Sequence, residues 1–479
     1  MSRTLLRRVS MKKALAPKIL SVTLTAAMAL TASACGVSTS TGGGDESTST
    51  TLTTTSSSAV SDSSASASGT ATSETSNQEP VTISLYTTIP GHDDDFEALC
   101  KEFMQQNPNI TVNYIAYDSS EKQKWMTLYA SGEAPTVSVM DPIDIQDNVD
   151  NMVEFDPTAD TWMSNVDSKY LDVFKSNGKV YGIPNSVQAM GITYNKTTIE
   201  KATGETFDPS TIKSTSDLEK LCEKIKAGGV SPIMFTGVDW SLGSHYLSQV
   251  FSGVRGDASA QEEFISGLKS GQTELKSDPV WNSVMNTFDV IAKYNYNAKD
   301  PLVGDTEVDG QAMASGKVAM WFMGDWSWSY LSATANSSDE YGIMPCPLTD
   351  NESDEINQEL GVFPSKGYCV DKSQNDEAQQ AAGKKLVQFL CFGDQQGMAD
   401  LLQTALPYLN CNVTYSNPIT QSTQSYIASS KTASIYAFSM LLPSDFWSEN
   451  GATMQQYLAG KINRDKAADT IQKYWESQK

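Results

Sequence analysis

The sequence predicts an α/β protein whose folded part forms two lobes, and two observations support this. The chain has 479 residues, of which about 400, from 80 to 479, have the mixed composition of a globular protein. A segment of that length is longer than one hydrophobic core usually supports, so we expect it to fold as two lobes. Strand and helix patterns also alternate at its start, as they do in an α/β sheet.

Five elements follow one another at the start of this segment. Strand patterns occur at 81–88, 110–117 and 136–140, and apolar residues recur at helical spacing in 96–106 and 122–131. Strands joined in turn by helices take right-handed parallel crossovers, so an open sheet with parallel strands is expected here.

The ends of these strands supply the first candidates for a binding site. In open α/β sheets ligands bind beyond the C-terminal ends of the strands. Thr87 and Thr88 end the first predicted strand, and Asp141 and Asp144 follow the third. The run from His92 to Asp95 is interpreted instead as the acidic first turn of the next helix, where the helix dipole stabilises negative charge.

The first 34 residues predict a signal peptide. They contain six basic residues and no acidic one, and the apolar stretch 19–34 is short and interrupted by Thr and Ser. Residues 32–36, ASACG, resemble the lipobox of bacterial prolipoproteins, which implies cleavage before Cys35 and attachment of a lipid to that cysteine. The alternative is a secreted protein cleaved after an A-x-A site, in which Cys35 has no special role.

A low-complexity segment separates Cys35 from the folded part. Residues 35–79 consist mainly of Ser, Thr, Gly and Ala and contain almost no large apolar side chain. Such a composition cannot bury enough apolar surface to offset the entropy lost on ordering, so a disordered linker is expected.

Charge and composition exclude several classes of function. The formal net charge is −23, and removal of the signal peptide with its six basic residues would leave −29. So acidic a chain argues against nucleic acid as a partner and against direct docking on anionic lipid. Neither of its two histidines has the spacing of a zinc site or a catalytic triad, so no metal and no cofactor are predicted.

Six motifs in a fixed order resemble one protein family over essentially the whole mature chain. The chain is similar to the family 1 extracellular solute-binding proteins of ATP-binding-cassette (ABC) importers, which include the maltodextrin-binding proteins. In order, the motifs are GEAP at 132–135, GKVYGIP at 178–184, MGITYNK at 190–196, GKVAMW at 316–321 continuing to GDW at 324–326, PSKGY at 364–368, and a helix at 376–390 leading to LP at 406–407.

The resemblance implies the type II periplasmic-binding-protein fold, in which a ligand cleft lies between two α/β lobes joined by a hinge. Carried onto this sequence, lobe 1 would comprise residues 80–189 and 358–408, and lobe 2 residues 192–356 and 411–479. The first hinge would lie near residues 188–193. The resemblance further implies a monomeric, non-catalytic protein.

Sugar sites combine flat aromatic rings with carboxylate and amide partners, and the ligand-binding candidates follow from that chemistry. Trp326 and Trp447 match stacking tryptophans of the maltodextrin binders, and Trp240 lies on a predicted loop after a strand; each could instead be a core residue. The polar candidates, chosen for their positions after strands or near the lobe crossings, are Thr88, Asp141, Asp144, Asn185, Gln188, Asp325 and Tyr408.

Three functions remain open. The first is capture of a sugar, expected to be an oligosaccharide, for delivery to an ABC permease from the outer face of the cytoplasmic membrane, as on a Gram-positive cell surface. The second is the same role for a glycerophosphodiester, a polyamine or a metal chelate, although Arg255 and Arg464 are the only arginines after the signal peptide. The third is a surface glycosidase with a pair of catalytic carboxylates.

Overall fold

The computed structural model describes residues 79–89, 91–116 and 121–478. The predicted signal peptide, Cys35 and the predicted linker up to residue 78 lie outside these residues. No helix within the described part is long and apolar enough to cross a membrane.

The described strands form two main sheets and one small hairpin. In chain order the strands are β1 (Val81–Thr87), β2 (Ile110–Ile115), β3 (Val137–Met140), β4 (Lys175–Ser176), β5 (Lys179–Val180), β6 (Ile183–Pro184), β7 (Val187–Asn195), β8 (Ser231–Met234), β9 (Val318–Gly324), β10 (Tyr341–Met344), β11 (Leu360–Pro364), β12 (Gly367–Val370) and β13 (Thr432–Ser434).

Helices separate most of these strands. The α-helices are α1 (Asp93–Gln106), α2 (Glu121–Ser131), α3 (Pro142–Asp147), α4 (Lys196–Thr203), α5 (Thr215–Ala227), α6 (Ala258–Ser270), α7 (Pro279–Lys293), α8 (Thr306–Ala314), α9 (Trp328–Leu331), α10 (Glu377–Phe392), α11 (Gln395–Leu402), α12 (Pro418–Ala428), α13 (Tyr436–Met440), α14 (Phe446–Leu458) and α15 (Arg464–Ser477).

The first sheet has the strand order β2-β1-β3-β12-β6. Strand β1 pairs in parallel with both β2 and β3, which confirms the predicted parallel crossovers. The first helix begins at Asp93 rather than Phe96, because the three aspartates are its first turn. Its side chains Phe96 and Phe103 pack against the sheet and are fully buried.

The second sheet is organised around β7. This nine-residue strand pairs with β9 along one edge, and with β11 and then β10 along the other. Strands β8 and β13 complete the sheet at its two ends. Gly191 in the middle of β7 must be glycine, because a Cβ there would run into the backbone oxygen of Met344. This close approach gives a physical reason for the glycine of the MGITYNK motif.

The chain passes from the second sheet to the first within two residues. Strand β11 pairs with β7 and β12 pairs with β3, and only Ser365 and Lys366 separate them. Strand β11 pairs with residues 187–190 of β7, of which the predicted boundaries assign 187–189 to lobe 1, so the predicted lobe boundaries stay a prediction.

Candidate functional site

Loops from both sheets meet at a cavity of about 510 Å³, here named the inner cavity. From the first sheet come the segments that follow β1, β3 and β6. From the second sheet come the start of β7, the end of β11 and the turn after β9. The inner cavity is lined by Ile89, Asp141, Pro142, Ile143, Asn185, Ser186, Gln188, His245, Trp326, Phe363, Pro364, Ser365, Lys366, Leu402, Thr404, Phe438 and Ser439.

An aromatic wall closes the side of the inner cavity that belongs to the second sheet. The Trp326 ring lies 5.2 Å from the ring of His245 and 6.3 Å from that of Phe363, measured between centroids. Phe363 and Phe438 are 4.9 Å apart. The Trp326 indole occupies the space in which a side chain at Gly324 would lie, so the GDW motif requires its glycine.

Polar groups of the first sheet, and of the segments that join the two sheets, line the same cavity. The Lys366 ammonium lies 3.0 Å from a carboxylate oxygen of Asp141, whose side chain is 45% exposed. The Ser186 hydroxyl donates to the Asn185 amide oxygen at 2.9 Å and lies 2.8 Å from the Ser365 hydroxyl. An ion pair and a short chain of hydrogen bonds therefore line the same cavity as the aromatic rings.

A second cavity of about 340 Å³, the outer cavity, adjoins the first. The two share Asp141, Ile143 and Phe438. The outer cavity is further lined by Thr88, Lys122, Met140, Asp144, Ser244, Leu442, Pro443, Ser444, Phe446 and Trp447. The adjoining cavities give the site room for a ligand with more than one ring.

A second ion pair lies in the outer cavity. The Lys122 ammonium contacts the carboxylate of Asp144, whose side chain is nearly buried. Burial raises the pKa of Asp144, and the neighbouring Lys122 opposes that rise. Trp447 lines the outer cavity with 42% of its surface exposed, and a flat exposed ring there suits an apolar sugar face.

Six of the residues predicted from the sequence line one of the two cavities. Those in the inner cavity are Trp326, Gln188 and Asp141, the last of which it shares with the outer cavity; those in the outer cavity alone are Trp447, Thr88 and Asp144. Asn185, weighed beside them, also lines the inner cavity. The hydroxyl of Thr88 already donates to the Val139 carbonyl at 2.7 Å, which leaves only its lone pairs for a ligand.

Three other predicted residues lie elsewhere. Asp325 is 0% exposed and accepts a hydrogen bond from Thr423 at 3.1 Å, so it lies beneath the site rather than in it. Tyr408 is 6% exposed in the core of the first lobe, and its hydroxyl donates to the Pro184 carbonyl. Trp240 lines neither cavity; its ring packs against that of His245. Burial excludes Asp325 and Tyr408 as direct ligand contacts, and these two assignments are corrected, whereas the role of Trp240 stays a prediction.

The sequence interpretation missed several residues of the site. Lys366 lies inside the PSKGY motif, where its charge was not weighed. His245 was considered only for metal binding and catalysis, yet it lines the inner cavity. Burial lowers its pKa to about 3, so the ring is uncharged at neutral pH. Thr404 and Ser439 also line this cavity, and within the described residues their buried hydroxyl oxygens have no hydrogen-bond partner.

Two curated relatives share part of this sequence. The chain is 26% identical over 294 residues to an uncharacterised ABC transporter extracellular-binding protein of Pyrococcus horikoshii, covering 57% of this chain and 63% of the relative. It is 28% identical over 218 residues to the multiple sugar-binding protein of Streptococcus mutans, covering 43% and 49%. The matched part of the chain thus spans 63% of the length of the first relative and 49% of the length of the second.

A solved structure shares the fold over most of the chain. RafE of Streptococcus pneumoniae in its apo form superposes with a TM-score of 0.69 at 17% identity, covering 84% of this chain and 98% of RafE. RafE has also been solved in complex with raffinose, and that structure superposes with a TM-score of 0.66 at 16% identity, covering 83% and 99%. The two-lobed type II periplasmic-binding-protein fold is therefore confirmed.

A family model gives the broadest match. The model described as bacterial extracellular solute-binding protein matches residues 98–428, more than half of the chain. The matched segment contains both sheets apart from β1 and β13, and all of the inner-cavity residues except Ile89, Phe438 and Ser439. The chain belongs to the family of bacterial extracellular solute-binding proteins.

Proposed function

We propose that this protein captures a neutral oligosaccharide outside the cytoplasmic membrane and delivers it, as a monomer, to the permease of an ABC importer. The observation that carries the proposal is the inner cavity, which combines an aromatic wall with polar groups whose charges are already paired. Sugar rings present apolar C–H faces and a belt of hydroxyls, which such a pair of surfaces complements.

The charges of the site favour an uncharged ligand. Within the described part of the chain, the charged side chains that line the cavities form two pairs, Asp141 with Lys366 and Asp144 with Lys122. A carboxylate held by a lysine can still accept hydrogen bonds from hydroxyls. A polycation would have to displace the lysines, which makes a polyamine a poorer ligand for these walls.

The arginines argue against a phosphorylated ligand. Arginine binds phosphate through two parallel hydrogen bonds and is the usual choice for such groups. Arg255 is paired with Asp278 at 2.7 Å, and Arg464 with Asp289 at 2.6 Å. Neither lines the inner or the outer cavity.

Names of related proteins agree with a sugar ligand. The Streptococcus mutans relative is a multiple sugar-binding protein, and RafE has been solved with raffinose. The family is one of binding proteins, and both carboxylates of the site are engaged by lysines, which speaks against the glycosidase alternative.

The two-sheet origin of the walls supports a capture mechanism by closure. Trp326 comes from the second sheet, and Asp141 from the first. A ligand that contacts both favours the closed arrangement by its differential affinity for that state. We propose that Trp326 stacks on a sugar ring, that Gln188 and Asp141 bind its hydroxyls, and that Trp447 receives a further ring in the outer cavity.

A thermal-shift screen tests the proposed ligand class. The purified full chain is heated alone and with raffinose, stachyose, maltotriose, spermidine, glycerophosphocholine or ferric citrate, each at millimolar concentration. An oligosaccharide is expected to raise the Tm, because a ligand present at 100 times its Kd stabilises by about 2.7 kcal/mol. A rise with spermidine, glycerophosphocholine or ferric citrate and with no sugar would contradict the proposal.

We further propose that Cys35 anchors the protein to the outer face of the membrane through a lipid. In cells fed an alkyne analogue of palmitate, the wild-type chain is expected to become labelled and to sediment with membranes. Cys35→Ser should abolish the label and release the protein, whereas Cys411→Ser, a matched change of a half-buried cysteine, should alter neither. A wild-type chain without the label, or Cys35→Ser protein that still carries it, would refute the anchor.

A further inference from the structure

His245 is held in a fixed position at the inner cavity. It belongs to a seven-residue π-helix, Trp240–Tyr246, that follows β8. Its carbonyl oxygen accepts hydrogen bonds from the Ser248 hydroxyl at 3.1 Å and the Gln249 amide at 3.3 Å. Gly243, in the same helix, is so close to the backbone of α14 that a Cβ would clash with the Trp447 carbonyl and the Gly451 amide.

Three aromatic rings surround the imidazole. Its centroid lies 5.0 Å from Trp240, 5.2 Å from Trp326 and 6.0 Å from Phe438, and the planes cross at 66°, 68° and 61°. These edge-on contacts hold the ring in place. His245 also lines the inner cavity.

The two ring nitrogens have different surroundings. Nδ1 is buried and has no hydrogen-bond partner within the described residues. Burial keeps the ring uncharged, since it lowers the pKa to about 3, so one nitrogen carries a proton and the other a lone pair. A buried N–H without an acceptor is rarer in proteins than an unused acceptor, which favours Nδ1 as the bare nitrogen.

We propose that His245 donates a hydrogen bond from Nε2–H to an oxygen of the bound sugar, beside the face on which Trp326 stacks. The inference rests on the proposed function, because the acceptor is a hydroxyl or ring oxygen of the carbohydrate. A rigid donor with no charge selects a neutral oxygen-rich ligand, since it gains nothing from a cation and offers no charge to a phosphate.

The chain contains two histidines, so ring nitrogens can be observed individually. Protein labelled with ¹⁵N-histidine is expected to show His245 in the Nε2–H form before any ligand is added. Raffinose, or whichever sugar of the screen raises the Tm most, should shift the Nε2 resonance of His245 and leave His92 unchanged. A proton on Nδ1 in the free protein overturns the inference whatever the ligand.

Substitutions provide the second test. His245→Leu is expected to weaken sugar binding about tenfold, the equivalent of one lost hydrogen bond, whereas His245→Gln should retain affinity within about threefold because its amide keeps a donor. His92→Gln, in the first lobe and outside both cavities, is the matched control and should bind like wild type. The inference is overturned if His245→Leu binds the sugar as tightly as wild type and the wild-type Nε2 resonance does not shift at saturating sugar. That result leaves the proposed function intact. If no sugar binds, both fail together.

Discussion

Trp326→Ala is expected to weaken oligosaccharide binding by at least about a hundredfold, close to the 3 kcal/mol typical of a central aromatic contact. The substitution removes the flat face on which the sugar is proposed to stack, and it leaves one side of His245 unsupported. Trp326→Phe retains a smaller flat ring and should lose only about tenfold. Isothermal titration calorimetry with the sugar found by the screen measures all three affinities.

Trp328 provides the control, since it is two residues away and lines neither cavity. Its ring packs against Tyr341 at 5.5 Å, so Trp328→Phe tests the removal of a neighbouring indole without altering the proposed stacking surface. Its Kd should stay within about twofold of wild type. A folded Trp326→Ala protein that binds within threefold of wild type would show that stacking occurs elsewhere.

The local part of the fold could be predicted from the sequence. Strands β1, β2 and β3 and the helices between them follow from periodicity, because each pattern is complete within a few residues. The second sheet could not be predicted in this way. Strand β13 pairs with β11 although about seventy residues separate them, and neither run contains a signal for its partner.

Two adjacent residues at the site have different positions, and no sequence pattern reveals this difference. Asp325 and Trp326 adjoin in the GDW motif, yet the aspartate lies beneath the site and the tryptophan lines the cavity. The short 3₁₀ turn of residues Asp325–Ser327 decides which of them faces the ligand. A motif that names both residues therefore cannot assign their roles.

The π-helix explains why His245 was missed. Trp240 and His245 are five residues apart, a spacing that brings side chains together in a π-helix but not in an α-helix. Their rings lie 5.0 Å apart only because the segment is wound in this way. Sequence periodicity predicts α-helices and strands, which are common. A residue whose position depends on a π-helix, which is rare, therefore has no recognisable sequence signal.

The second large effect is expected from the buried carboxyl group of Asp325. Burial raises its pKa to about 7, against the opposing effects of the Ala189 backbone amide and the Thr423 hydroxyl. In the unfolded chain the pKa returns to the usual value near 3.9. Between these two values the folded state binds more protons than the unfolded state, so the free energy of unfolding falls as the pH rises through that window.

Asp325→Asn removes this titration while nearly preserving the shape of the side chain. From pH 5 to pH 8, the stability of wild type relative to Asp325→Asn is therefore expected to fall by about 2–3 kcal/mol, at 1.36 kcal/mol per pH unit below the folded pKa. Urea unfolding of both proteins at pH 5, 6, 7 and 8 measures this difference. The contributions of the other titrating groups cancel because both proteins contain them. A difference that stays constant from pH 5 to pH 8 would mean that this carboxyl is solvated in the folded protein, and that the turn holding Trp326 is looser than the structure shows.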